Sequence, residues 1–426
     1  MTIQVQTTSS EVFRGSMKMR VQIISNLFFP DELAGASLYT DLAQYLAGKG
    51  HDIRVTTTFS YYPAWKLGAE DQGVKVRDDD VADIPVRRIS MYVPTKPTGK
   101  GRLLSDLSFF WSLVRHGRYR DWRPEVVLTA LPMLSQCLAQ RFMHGFCRVP
   151  KLIIVQDFVV EAALELGILK IPFGSGLLHG VQRWALKSAK TIATISPMML
   201  EKLRSQITDN RRMLVIPNWI HQSLQCEIDR QSFSGITRSQ MRLFYAGNMG
   251  VKQGLPDFLA QFKTTDISKT GWRLDIFGGG GEANSIKKSA AETDGVHVGE
   301  VLDEPEYVSN LLSASACLVT QRPGVGANFL PSKLLPALAT ATPVLAVCSR
   351  DSPLADEVID GGFGEVVEPG NSVALRDCLD RWKNNPDVLP RLSERAKIRA
   401  VKYHRDMVLP QYEQELLNLI RIDALT

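Results

Sequence analysis

No run of eighteen consecutive apolar residues, the length an α-helix needs to cross a bilayer, occurs in the 426-residue chain, so no membrane-spanning helix is expected. The first sixteen residues, MTIQVQTTSSEVFRGS, have neither a basic start nor an apolar core of signal-peptide length. They read as a disordered tail before an ordered chain beginning at Met17. Cysteine is scarce and scattered: none of the six has CxxC spacing, and Cys317 and Cys348 lie in apolar strands. That argues against structural zinc and a disulfide framework, and for a reduced, cytosolic protein. The net charge of +5 is too small for a dedicated nucleic-acid binder, although it leaves room for a local basic patch. The acidic run Asp78, Asp79, Asp80 has no other candidate metal ligands nearby and reads as a solvated turn. Short repeats and low-complexity segments are also missing, and 44% hydrophobic with 22% charged residues is an ordinary globular composition.

Two domains fit this length, each able to bury its own core. Residues 21–25 form a candidate strand, followed by a long loop, a helix over 36–47 with apolar Leu38, Leu42, Tyr45 and Leu46, and a strand over 51–57. Further strands are expected at 86–89, 126–129, 152–155, 191–195 and 214–216, with helical stretches between them, which argues for a doubly wound parallel sheet. Residues 221–240 turn polar and aperiodic, as a linker would. The pattern then restarts with strands at 242–246, 272–277, 296–298, 316–320 and 343–347. A last helix over about 406–420 carries apolar Val408, Leu409, Tyr412, Leu416, Leu417 and Ile420 at helical spacing.

Open α/β sheets bind ligands at the carboxyl ends of their strands, and three loops of the second half lie there. Residues 247–254, GNMGVKQG, set Lys252 between glycines before a helix. Residues 278–283, GGGGEA, fit GxGxxA, a weak dinucleotide fingerprint, which leaves a nicotinamide-dependent oxidoreductase open as an alternative. The third loop carries Gly324, Gly326, Ser332 and Lys333, with Ser332 expected to cap a helix and Lys333 in its first turn. Unpaired N–H groups and two lysines at separate helix mouths suit a diphosphate. In the first half, the small residues 34–37 allow a ligand close approach to a helix start. Asp157, after the strand at 152–155, can either accept a hydroxyl proton or cap the next helix.

Taken together, FFPDELAGASLYTDLAQYLAGKGHDIRVTTT, IATISPMMLEKL, VIPNWI, FYAGNMGVKQGL, VHVGEV and LPSKLLPALATATPVLAV resemble, in order and from Met17 nearly to the end, the family 4 glycosyltransferases of GT-B fold. The resemblance is strongest to the branch serving exopolysaccharide, O-antigen and colanic-acid assembly. It implies two Rossmann-like domains facing across a cleft: residues 17–220 for the acceptor and 241–403 for a nucleotide-diphospho-sugar, joined by the linker, with residues 404–426 returning to the first domain. It further implies retaining, metal-independent transfer without a cofactor to a lipid-linked saccharide. By position, Lys252 matches the basic residue that holds the donor diphosphate, and Gly35 and Ala36 match the glycine turn facing it across the cleft. Gly247, Asn248, Gly250, Gly278, Gly279, Asn328, Ser332 and Lys333 complete the implied donor set, and Asp157, Lys252 and Lys333 the catalytic set. Asn328 and Pro336 stand where many relatives have glutamates, which keeps a catalytically silent scaffold open. Gln156-Asp157 replaces the family's frequent His-Asp, with Glu161 one turn on.

Between Arg87 and Arg123 lie nine basic residues against two acids, Asp106 and Asp121. A helical wheel puts Leu103, Leu104, Leu107, Phe110, Trp111 and Val114 on a core-facing stripe, and leaves Phe109 and Leu113 outside it among cations. Such an extra apolar spot suits either contact with an anionic membrane at the inner face or an ordinary second packing contact.

Overall fold

The computed structural model describes residues 17–31, 34–62, 64–95, 99–131, 133–143, 149–158, 175–232, 241–265, 271–324 and 329–425. Near-continuous runs of Val, Ile, Leu and Ala, buried on both faces, form the central strands of two sheets. The first sheet contains β1 (Arg20–Ile24), β2 (Asp52–Thr58), β3 (Val76–Val81), β4 (Ile84–Ile89), β5 (Val126–Leu131), β6 (Lys151–Val155), β7 (Thr191–Thr194) and β8 (Arg212–Val215). Its order is β3-β4-β2-β1-β5-β6-β7-β8, parallel throughout except that β3 runs antiparallel to β4 at the edge. The second sheet contains β9 (Arg242–Ala246), β10 (Arg273–Phe277), β11 (Val296–Gly299), β12 (Ala316–Thr320), β13 (Val344–Val347) and β14 (Gly364–Val367). Its order, β11-β10-β9-β12-β13-β14, is that of a dinucleotide-type doubly wound sheet. Chain order reverses between β1 and β5 in one sheet and between β9 and β12 in the other. The crevice at such a reversal is where open α/β sheets take ligands.

β3 is absent from the sequence reading because it contains the acidic run. Asp78 and Asp79 sit in this edge strand, not in a solvated turn, and their carboxylates pair with Arg87 at 2.7 Å and Arg88 at 2.6 Å on β4. Cross-strand charge pairing of two of the three successive acids lets the run occupy an edge strand. Residues 222–232, expected to be linker, form a helix whose Leu224 and Ile228 pack into the core of the second sheet. Only two buried residues one turn apart anchor this helix, too faint a pattern to stand out in so polar a segment. The C-terminal helix Arg405–Leu425 buries Val408, Leu409, Tyr412, Leu416 and Leu419 in the core of the first sheet, and Arg212 pairs with its Glu415 at 2.7 Å.

Helix Gly99–His116 turns the opposite way from the wheel expectation. Gly101, Ser105, Phe109 and Leu113 face inward, and Leu103, Leu104, Leu107 and Trp111 are exposed. The buried stripe begins with two small residues, Gly101 and Ser105, so a hydrophobicity count underweights it. The Ser105 hydroxyl is satisfied by the Gly101 carbonyl at 3.0 Å. Phe109→Ala should therefore cost about 3–5 kcal/mol and Leu113→Ala about 2–5 kcal/mol. Leu107→Ser or Trp111→Ser should stay within about 0.5 kcal/mol of the parent in urea melts.

Candidate active site

The loops after β9 and β10 are zipped together. The Gly247 N–H donates to the Phe277 carbonyl at 2.9 Å, Met249 N–H to Gly279 O at 2.8 Å, and Glu282 N–H to Met249 O at 2.9 Å. Gly278 has φ 139°, and a Cβ there would lie 2.0 Å from the Gly247 carbonyl oxygen. At Gly280, φ 151°, a Cβ would lie 2.6 Å from the Met249 carbonyl oxygen. Loop-to-loop packing thus accounts for Gly278 and Gly280, the two glycines the fingerprint requires, and they follow β10 and not a strand at the reversal. The dinucleotide fingerprint loses its physical basis here, and with it the case for a nicotinamide enzyme.

Lys252 lies in the short 3-10 turn Val251–Gln253 after β9, and its carbonyl accepts from the Arg322 N–H at 2.9 Å. This bond ties the loop after β9 to the loop after β12, the two strands flanking the reversal. The Lys252 ammonium lies 5.3 Å from the Phe329 ring centre and forms an ion pair with Asp157. Asp157 follows β6 in the first domain, so the pair bridges the cleft. Beside it, the Gln156 amide exchanges hydrogen bonds with Asn218 at 2.8 Å and donates to the Tyr39 hydroxyl at 3.1 Å. A helix start, the residue after β6 and the domain crossing therefore converge beside the same carboxylate.

Lys333 approaches from the other side. Its helix spans Leu334–Ala339 with Lys333 itself at the cap position, whereas Ser332 is exposed and caps nothing. The expected Ser332 cap is thus wrong, because Pro331 to Lys333 form a turn that starts the helix one residue later. The ammonium folds back over Tyr245, 4.8 Å from the ring centre, and a Cβ on Gly247 would come 3.0 Å from it. Burial drives the Lys333 ammonium down to about 8, with the neighbouring Cys317 thiol opposing the shift. Pro336 becomes intelligible too: as the third residue of the helix it occupies a first-turn position whose N–H has no intrahelical acceptor.

Gly35 and Ala36 lie in the first turn of helix Ala34–Gly48, where Gly35 has open space on its side-chain position and Ala36 is buried. Asn248 is exposed, and the Gly250 N–H is taken by the Gln253 side chain at 3.1 Å. Gly279 gives its carbonyl to Met249 and so supports the loop. Gly326, Asn328 and Glu161 lie outside the described residues. Tyr245, Phe329, Tyr39 and Asn218 were not anticipated as site residues, although Tyr39, Asn218 and Tyr245 lie within the segments FFPDELAGASLYTDLAQ, VIPNWI and FYAGNMGVKQGL that carry the resemblance. No cluster of potential metal ligands occurs among the described residues.

Residues 35–219 match the glycosyl transferase 4-like domain, and residues 229–399 match glycosyl transferases group 1. A protein of Escherichia coli (strain K12) named as a colanic acid biosynthesis glycosyl transferase, WcaI, is 26% identical over 405 residues, covering 86% of this chain and 97% of that protein. Among solved structures, sucrose-phosphate synthase from Thermosynechococcus elongatus superimposes with a TM-score of 0.71 at 14% identity, over 95% of this chain and 100% of that one. WaaG, a glycosyltransferase involved in lipopolysaccharide biosynthesis, does so with a TM-score of 0.60 at 15% identity, over 93% and 99%. The order of the two matched regions along the chain, the paired doubly wound sheets and the lysines gathered at the strand ends agree with one another: the chain belongs to the family 4 glycosyltransferases of GT-B fold.

Proposed function

We propose that this transferase moves a sugar, with retention at the anomeric carbon, from a nucleotide-diphosphate donor to a lipid-linked saccharide in the assembly of a bacterial cell-surface polysaccharide. It would work without metal at the cytoplasmic face of the membrane. The observation that carries the reading is the meeting of Lys252 and Asp157 across the cleft. In the absence of ligand each group neutralises the other. A donor diphosphate carries more negative charge than one carboxylate, so it takes over Lys252 and leaves Asp157 facing the acceptor. Lys252 and Lys333 then stabilise the charge that grows on the leaving diphosphate, in a cleft from which closure removes water. The leaving oxygen can take the acceptor proton in a retaining reaction, so the role of Asp157 is to orient the hydroxyl. The similarity to a transferase named for colanic acid biosynthesis supports the polysaccharide assignment.

Lys252→Ala and Lys333→Ala should each lower kcat/KM by about 1.5–3 kcal/mol while the proteins stay folded, the range for a hydrogen bond to a charged group. Parental rates from both variants would remove the lysines from the site. Asp157→Asn should reduce turnover on the order of a hundredfold. Because it also frees Lys252, it should leave UDP binding unchanged or tighter. Nucleotide binding without turnover on any acceptor would favour the scaffold.

The buried Lys333 also sets a pH dependence. Free protein loses the Lys333 proton near pH 8, whereas a bound diphosphate holds the ammonium charged, so above pH 8 binding must take up a proton. Affinity for UDP should then fall by about tenfold per pH unit above 8. Calorimetry in buffers of different ionisation enthalpy checks this, with the proton uptake lost in Lys333→Met. Uptake of the same size in that variant would assign it to another group.

A further inference from the structure

The catalytic reading leaves one face of the first domain without a use. On helix Gly99–His116, Leu103, Leu104, Leu107 and Trp111 are 57%, 53%, 50% and 68% exposed, spaced to form one stripe. The helix already has a complete inner face, so its core does not require these four side chains. The stripe continues onto the next helix, Leu134–Met143: the Phe110 ring stands 5.4 Å from Trp111 and 5.8 Å from Phe142, which is itself 52% exposed. On helix Ser175–Leu186, Trp184 is 45% exposed with the Arg141 guanidinium 4.8 Å over its ring. A contiguous apolar surface spread over three helices is larger than the isolated exposed residues every soluble protein carries.

Its charge is of one sign. Lys100, Arg102, Arg115, Arg141 and Arg183 are exposed around the stripe, and none is ion-paired among the described residues. The one acid of helix Gly99–His116, Asp106, is turned inward and accepts from the Ser135 N–H at 3.2 Å. By contrast, Arg87 and Arg88, the start of the same basic stretch, are neutralised by Asp78 and Asp79. The cations beside the exposed apolar side chains are therefore left without an acidic partner among the described residues, as are Arg118, Arg120 and Arg123 beyond the helix. A symmetric contact with a second copy would bring these cations face to face, which is repulsive. An anionic bilayer answers both features: leucines and indoles enter the boundary between headgroups and chains while guanidinium groups stay at the phosphates.

We infer that the face built from helices Gly99–His116, Leu134–Met143 and Ser175–Leu186 docks the protein on an anionic lipid surface, with Leu103, Leu104, Leu107 and Trp111 entering the bilayer. Helix Gly99–His116 follows β4, so it begins at the strand ends that border the cleft. Docking there holds the acceptor side of the cleft near the lipid. The inference deepens the lipid-linked acceptor reading and draws its purpose from it, but lipid binding is measurable without any acceptor.

The test is co-flotation with acceptor-free vesicles, phosphatidylglycerol-rich or pure phosphatidylcholine, in parallel with UDP binding. The parent should float with the anionic vesicles and dissociate in high salt. Leu104→Ser/Leu107→Ser/Trp111→Ser should lower that binding by about tenfold or more. Arg102→Gln/Arg115→Gln should abolish the preference for anionic lipid, and both variants should keep parental UDP affinity and melting. Should the triple variant fold poorly, Leu104→Cys in a Cys147→Ser/Cys226→Ser background, carrying an environment-sensitive dye, should shift to the blue with anionic vesicles. Undiminished flotation of the triple variant, or an unshifted dye, overturns the inference. So does a dimer that the triple substitution dissociates in a parent that does not float. Flotation as expected, without transfer to any lipid-linked saccharide, would instead overturn the proposed acceptor and leave the docking surface standing.

Discussion

The two passes of chain between the domains are fastened side by side, and the site depends on that fastening. The outgoing pass reaches Ile220, whose N–H donates to the Tyr403 carbonyl at 2.9 Å, with Ile220 and His404 forming an isolated bridge. Asp41, buried in the first helix, accepts from the Trp219 indole at 2.8 Å and from Arg405 at 2.7 Å. One carboxylate thus holds the outgoing and the returning chain to the same helix. Removing it would strand a buried indole N–H and leave a half-buried guanidinium without its acceptor, the costly direction for such a network. The Trp219 ring also packs edge-on to Tyr412 of the C-terminal helix at 5.5 Å, so the crossing is part of the core of the first domain.

From this fixed point the cleft follows. The crossing is clamped to the first domain, and that contact fixes where the second domain begins. Asn218 lies directly before the clamp and is bonded to Gln156, whose neighbour Asp157 reaches Lys252. Hinge, positioning amide and cleft carboxylate therefore form a continuous chain. The two lysines differ in kind. Lys252 is a partly solvated ammonium already balanced by a carboxylate, whereas Lys333 is desolvated against Tyr245. A desolvated cation interacts more strongly with an arriving diphosphate, and it also gives up its proton more readily when none is present.

Much of this architecture was legible along the chain, because buried parallel strands are short apolar runs and nearly all of them stand out. The elements that were misjudged share a cause. β3 holds Asp78 and Asp79 because Arg87 and Arg88 on β4 balance them, and those partners become neighbours only in the folded sheet. Helix Gly99–His116 was turned inside out because its inner face starts with Gly101 and Ser105, which a hydrophobicity count ignores, while its outer face carries Trp111. Helix Gln222–Ser232 looked like linker because it contributes only Leu224 and Ile228 to the core. Lys252 and Asp157 were each singled out, but their meeting is a fact of domain placement that no local pattern carries.

The departures from the family pattern are easier to weigh with these positions known. Pro336 sits where a helix leaves an N–H unbonded in any case, so a proline in place of a glutamate costs the backbone nothing there. The helix stays rooted through Leu334, Leu335, Ala337 and Leu338, all buried in the core of the second sheet. What the exchange changes is charge: an anion at that place would offset Lys333, three residues away at the start of the same helix. The same sequence that gives up a glutamate thus keeps a lysine with no ion-pair partner among the described residues, beside a Cys317 thiol that burial holds protonated and neutral up to about 12.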